Sequence, residues 1–157
     1  MFKNKNGMTF IEVMTAVVII AILVGIAIPN LIAPAKKRSI DASIKTNMRT
    51  FQVMLETYRV DNLVYPDSVS ELEAQANAKS YNKKVRNPVT NNEGSVTYWA
   101  VDFLDPSDSS FDSQKASYQG RVGYQKINNT KYYINGYSEG GMPILENNTI
   151  YLITNGG

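Results

Sequence analysis

An unbroken apolar run constrains this chain most. Between Met8 and Ile28 the only charged residue is Glu12. As a helix the run measures about 31 Å, enough to cross the hydrocarbon core of a bilayer. Lys3 and Lys5 stand before it; Pro29, Pro34 and the basic cluster Lys36-Lys37-Arg38 follow it. A carboxylate in lipid is costly and asks for a partner, so Glu12 needs explaining together with the length. A secretory signal peptide has a shorter apolar core and a small-residue cleavage site after it. Here the run carries Glu12 near its start and ends in Ile28-Pro29-Asn30. A simple membrane anchor accounts for the length, but for neither Glu12 nor Gly7.

Lys3-Asn4-Lys5-Asn6-Gly7, then Met8-Thr9-Phe10-Ile11-Glu12-Val13, then an apolar run closed by Ala27-Ile28-Pro29-Asn30, resembles the class III leader of type IV pilins and pseudopilins. The likeness covers residues 3–34. The leader Gly, the Glu fifth after it and the Pro twenty-second after it all fall in register. The resemblance implies that residues 1–7 are a leader and that prepilin peptidase cuts between Gly7 and Met8 and N-methylates Met8. It also implies that an inner-membrane assembly platform builds the subunits into a homo-oligomeric helical filament through these apolar segments. Met8 departs from the Phe that is commonest at the first mature position. The basic flanks on either side of the run nearly balance, so the resemblance decides orientation: N-terminus cytoplasmic, bulk of the chain outside.

Cleavage would leave Met8 with a free, positively charged amine. Residues four apart share a helix face, so Glu12 could meet its own N-terminus or that of a neighbouring subunit. Two buried charges are penalised singly, and pairing offsets much of that penalty. Met8 and Glu12 are therefore the expected assembly residues. Gly25 and Pro29 join them: a Pro inside a helix removes one backbone bond and crowds the carbonyl four residues back. That carbonyl belongs to Gly25, a poor helix former, so a bend is expected over 25–29.

The remainder suits one domain. Loss of Lys3 and Lys5 from 16 basic residues leaves 14, against 14 acidic; bulk charge points to neither nucleic acid nor an acidic substrate. The chain has no cysteine and no histidine, which excludes disulfides, thiolate chemistry, Ser-His-Asp catalysis and His-ligated zinc. Ile40, Ile44, Met48, Phe51, Leu55 and Tyr58 follow helical spacing and form one apolar face. They predict an amphipathic helix over 35–62 that continues the membrane and polymerisation segment 8–34. Tyr65-Pro66-Asp67-Ser68 is turn chemistry, and Ser68 or Ser70 is a candidate cap for a short helix through Glu71, Leu72 and Ala76. Asn87-Pro88 and Asn91-Asn92-Glu93-Gly94 are further turns.

Strands are predicted over 95–104, 120–127, 131–137 and 149–154, with a hairpin at Asn128-Asn129-Thr130. The expected fold is α+β and pilin-like: a long N-terminal α-helix packed on a small antiparallel β-sheet within 95–157, the globular domain spanning 35–157. Three side-chain sets remain. Asp102, Asp105, Asp108 and Asp112 are oxygen-rich and are weak candidates for calcium; their spacing is not an EF-hand, and a solvated acidic loop accounts for them better. Tyr124, Tyr132, Tyr133, Tyr137 and Tyr151 stand near Lys115, Arg121, Lys126 and Lys131 and could stack nucleic-acid bases, yet Tyr is also a favoured strand residue. Asn128-Asn129-Thr130 and Asn147-Asn148-Thr149 match the glycosylation pattern, in a presumed bacterial protein mostly by chance.

No acid-base or nucleophile set stands out, so the expected role is not enzymatic. It is that of a structural subunit held in lipid before assembly and then displayed on the cell surface in a pilus for adhesion, motility or DNA uptake. The alternatives are a pseudopilin of type II secretion and a monomeric, membrane-anchored binding module.

Overall fold

The computed structural model describes residues 7–155, with the side chains of residues 29–31 left aside. Lys3, Lys5 and the rest of residues 1–6 lie outside the described residues. The chain forms two compact units, divided between Lys36 and Lys37.

The first unit is helical from Phe10 onward, the start of α1 (Phe10–Asn62). Helix continues on both sides of Pro29. Every described residue of this unit is exposed; Phe10 is 80% and Ile26 64% accessible. A window of mean hydropathy 2.8 lies in this helix, long and apolar enough to cross a membrane. An apolar helix with no covered side has no reason to fold alone in water.

The second unit is built on the amphipathic part of α1. Ile40, Ile44, Met48, Phe51, Leu55 and Tyr58 are all buried, as their spacing predicts, and Met54 joins them. At the end of α1, Leu63 takes a left-handed backbone (φ 64°) that breaks the helix before Tyr65-Pro66. α2 (Val69–Ala78) follows, capped by Ser68, whose hydroxyl accepts from Glu71 N at 3.2 Å. Glu71 reaches back to accept from Asp67 N at 2.6 Å and also accepts from Tyr58 Oη at 2.6 Å, tying α2 to α1. Val69, Leu72 and Ala76 face the core.

The sheet runs in the order β1 (Ala100–Asp102), β2 (Val122–Asn128), β3 (Lys131–Gly136), β6 (Ile153–Thr154). β2–β3 and β3–β6 are antiparallel, but β1 pairs with β2 in parallel. The sheet is thus mixed rather than antiparallel. The reason lies in the connection: parallel neighbours need a long crossover, usually helical. Residues 103–121 supply it through α3 (Phe111–Tyr118), a helix not expected from the sequence.

Two predicted strands are shorter than expected. Over 95–104 the chain first makes a 3-10 turn (Val96–Tyr98). Eclipsed side chains at i and i+3 in such a turn send both Val96 and Trp99 into the core, each with no accessible surface. Over 149–154, Asn147 and Asn148 adopt positive φ (51° and 62°) and close a small hairpin of β4 (Leu145–Glu146) with β5 (Thr149–Ile150). The chain bends before β6 joins the main sheet. The Asn128–Thr130 hairpin is present; Asn128 Oδ1 accepts from Thr130 N at 2.8 Å.

Alternation along the strands gives the sheet two faces. Tyr132, Ile134 and Gly136 face α1, where a side chain on Gly136 would collide with Ile44 and Met48. Tyr124 packs on Phe51 at 5.6 Å between ring centroids, and Trp99 meets Phe51 edge-on at 5.8 Å. On the other face Tyr137 meets Tyr118 edge-on at 4.8 Å and Phe111 in a tilted contact at 6.5 Å. α3 therefore lies across the sheet from α1.

Candidate functional site: the N-terminal assembly segment

Thr9 caps α1. Glu12 Oε2 accepts from Thr9 N and from Thr9 Oγ1, both at 2.7 Å. Glu12 N donates to Thr9 Oγ1 at 3.4 Å, and Val13 N to Thr9 O at 3.2 Å. This is a capping box of the form Thr-x-x-Glu, which satisfies donors that a helix start leaves open. Its carboxylate also sits at the positive end of the helix dipole. Thr9 was not among the expected residues, although the same four-residue pattern marks it in the sequence.

The geometry gives Glu12 a partner in the uncut chain, and that partner is Thr9. Met8 lies one residue upstream, 75% exposed, and in the uncut chain its nitrogen is an amide. Cleavage before Met8 would turn this nitrogen into a cation one residue away from the donors that now hold Glu12. The box is thus a place where a carboxylate can pass from a neutral partner to a charged one.

Gly7 and Gly25 have open space where a side chain would begin. The fold of the single chain therefore does not require glycine at either position. Any requirement comes from something that binds this segment, such as a protease subsite at Gly7 or a tightly packed helix at Gly25. Pro29 lies within α1, its side chain outside the described set.

Asp102, Asp105, Asp108 and Asp112 are each engaged within the chain, Asp102 at long range and the other three locally. Asp102 Oδ1 accepts from Val69 N at 2.8 Å and so anchors the start of α2. Asp105 Oδ1 accepts from Ser107 N (2.8 Å) and Oγ (2.7 Å), and Asp108 Oδ1 from Ser110 N (2.8 Å) and Oγ (2.7 Å). Asp112 pairs with Lys115 at 2.8 Å. The backbone bond first, then the hydroxyl, holds the Asp105 and Asp108 carboxyls below the usual range. Among the described residues no three His, Cys, Asp or Glu side chains gather as a metal site would require.

The late tyrosines serve the core. Tyr124, Tyr132 and Tyr137 are buried. Tyr124 Oη donates to Pro66 O at 2.6 Å, and Tyr132 Oη to Glu56 Oε1 at 2.9 Å. Burial first of all raises the pKa of each, so they stay protonated donors at neutral pH. Tyr133 and Tyr151 are half-buried, lying under Lys131 (5.3 Å) and Lys45 (4.1 Å).

Residues 2–28 match the family described as the prokaryotic N-terminal methylation motif. The type II secretion system core protein G of Vibrio cholerae is 34% identical over 85 residues, covering 54% of this chain and 57% of that protein. Its counterpart from Pseudomonas aeruginosa is 27% identical over 85 residues, covering 54% and 59%. The type IV wide pilus major component PilA4 of Thermus thermophilus is 36% identical over 70 residues, covering 45% and 53%. The chain spans little more than half the length of these curated relatives. No solved structure matches it significantly. The chain thus carries the prokaryotic N-terminal methylation motif ahead of an exposed apolar helix, and it is similar to the type II secretion system core protein G and to a type IV wide pilus major component.

Proposed function

We propose that this chain is a structural subunit of a type IV pilus. In this reading prepilin peptidase cuts it between Gly7 and Met8 and methylates the Met8 amine. Met8–Ile28 then leave lipid, N-terminus on the cytoplasmic side, and pack against copies of themselves on an inner-membrane platform. The filament would serve adhesion, motility or DNA uptake. The observation that carries the reading is the pairing of a fully exposed apolar helix with a Thr9–Glu12 box one residue after the cut site. Lipid covers such a helix before assembly and identical helices cover it afterwards; in both settings the carboxylate needs a donor.

A pseudopilin of type II secretion is the second reading, favoured by the core protein G relatives. A pseudopilin would make a short filament confined to the envelope. Electron microscopy of sheared surface filaments, with peptide identification, separates the two. Mass spectrometry of the native chain tests both: the expected N-terminus is methylated Met8, and an intact Met1 would instead support a tethered monomer.

Thr9→Val probes the box. It removes the hydroxyl and keeps the backbone N–H, so Glu12 loses one of its two donors. Cleavage is expected to proceed normally, while filament yield falls by less than it does in a Glu12→Ala chain. Yield equal to wild type, measured by quantitative blotting of sheared filaments, would show that the hydroxyl has no part in assembly.

A further inference from the structure

We propose that the basic loop 79–86 of one copy receives the acidic loop 105–112 of a second copy, an inference that rests on the filament reading. Filament growth by a helical operator needs a heterologous interface: two different, mutually complementary surfaces on every subunit. The globular unit carries such surfaces on opposite layers. Loop 79–86 flanks α1: Lys79 pairs with Asp61 at 3.0 Å, and Asn47 Nδ2 donates to Arg86 O at 3.0 Å. The acidic loop leads into α3, on the face of the sheet turned away from α1.

Each loop neutralises only part of its charge within the chain. Arg86 pairs with Glu93 at 3.6 Å, whereas Lys83 and Lys84, both exposed, make no ion pair among the described residues. Behind Lys84 opens a cavity of about 340 Å³, lined also by Asn77, Ser80, Asn82 and Gly94. Across the sheet, Asp105 and Asp108 are exposed. Each spends Oδ1 on its own serine turn, leaving Oδ2 with no hydrogen bond among the described residues. The turns fix both carboxylates in place and keep them ionised, so little side-chain freedom is left to lose on docking. Complementary potentials of this kind set register and suppress wrong pairings more than they add raw affinity.

Charge exchange in the full chain, expressed in its host, tests the pairing. Lys83→Glu with Lys84→Glu is expected to lower sheared-filament yield by about tenfold or more, as is Asp105→Lys with Asp108→Lys; like charges brought together at an interface cost enough for that. Combining all four is expected to restore most of the yield. The thermal midpoint of the lysine reversal should match wild type, since both side chains are exposed; the aspartate reversal also gives up its serine-turn bonds, so its yield is read well below its own midpoint. Lys84→Cys with Asp108→Cys in this cysteine-free chain should give disulfide-linked ladders from intact filaments. Normal yield from either reversal, or losses that the combination fails to restore, overturns the pairing. A lysine reversal that spares filaments but lowers DNA retention would also overturn it and assign the loop to nucleic acid. A wild-type chain that yields no polymer in the same assay removes the filament reading itself, an outcome distinct from wild-type polymer with indifferent reversals.

Discussion

Glu12→Ala is expected to leave cleavage after Gly7 at the wild-type level and to abolish filaments. The proposed cut lies outside α1, and Gly7 has open space around it, so recognition there should not depend on a side chain one turn into the helix. In the filament reading, assembly does depend on it. In the uncut chain the Thr9 N–H and hydroxyl hold the carboxylate. Were Met8 to carry an amine, that cation would stand two residues ahead of the start of α1, next to the Thr9 cap that holds the Glu12 carboxylate. Removing one member of a pair that enters an apolar environment leaves the other uncompensated, which costs more than the pair contributes. Glu12→Gln separates charge from capping. Glutamine can accept from Thr9 as glutamate does, so it preserves the box, but it cannot neutralise an amine. If charge pairing drives assembly, Gln fails as Ala does while cleavage and methylation of Met8, read by mass spectrometry, continue. Wild-type filaments from the Gln variant would sink the charge pair and leave helix capping as the role of Glu12.

The helical part of this fold is legible because periodicity is a strong signal. Six residues from Ile40 to Tyr58 mark a face, and all six are buried. Ser68 and Glu71 announce α2 by their spacing. The sheet is less legible because its strands are short and its order depends on what lies between them. Nothing local in Ala100–Asp102 says that it pairs in parallel with β2; that follows from a crossover whose helix, α3, is mostly polar and anchored by Phe111 and Tyr118. A run of Asp and Ser before α3 reads chiefly as a solvated acidic loop and only weakly as a cation loop, and the structure shows Asp105 and Asp108 each bonded to its own serine turn. At the candidate assembly site the reverse holds. Gly7, Met8 and Glu12 stand out in sequence by their register with a leader, whereas Thr9 needs the helix start to be placed before its hydroxyl acquires a purpose.

Asn87→Ala is expected to cost the globular unit about 3 kcal/mol or more, the largest loss from any polar substitution in it. Asn87 has no accessible surface, yet its side-chain amide makes four hydrogen bonds. Nδ2 donates to Tyr98 O at 3.2 Å and to Gln119 O at 2.9 Å. Oδ1 accepts from Val89 N at 2.9 Å and Thr90 N at 3.0 Å. One side chain thus joins the 3-10 turn, the end of α3 and its own turn. Gly120, with φ +71°, lies so close that a side chain there would strike Asn87 Oδ1. Alanine leaves two carbonyls and two N–H groups without partners, and a buried orphan costs about 1–3 kcal/mol; water reaching the gap recovers part of that. For a unit of this size the thermal midpoint should fall by roughly 10 °C. Trp99, the one tryptophan and fully buried, reports unfolding by its fluorescence in the detergent-solubilised full chain. Asn87→Asp should be no better: it retains the acceptor for Val89 and Thr90 but turns a second oxygen toward the two carbonyls. A loss below about 1 kcal/mol for Ala would mean that the three segments are held by packing and not by this amide. The loss has a second reading in assembly. Asn87 directly follows the basic loop and grips the last turn of the segment that carries the acidic one, so loosening it frees both charged surfaces at once. Filament yield in Asn87→Ala should therefore fall at temperatures well below its new midpoint, where most of the protein is still folded.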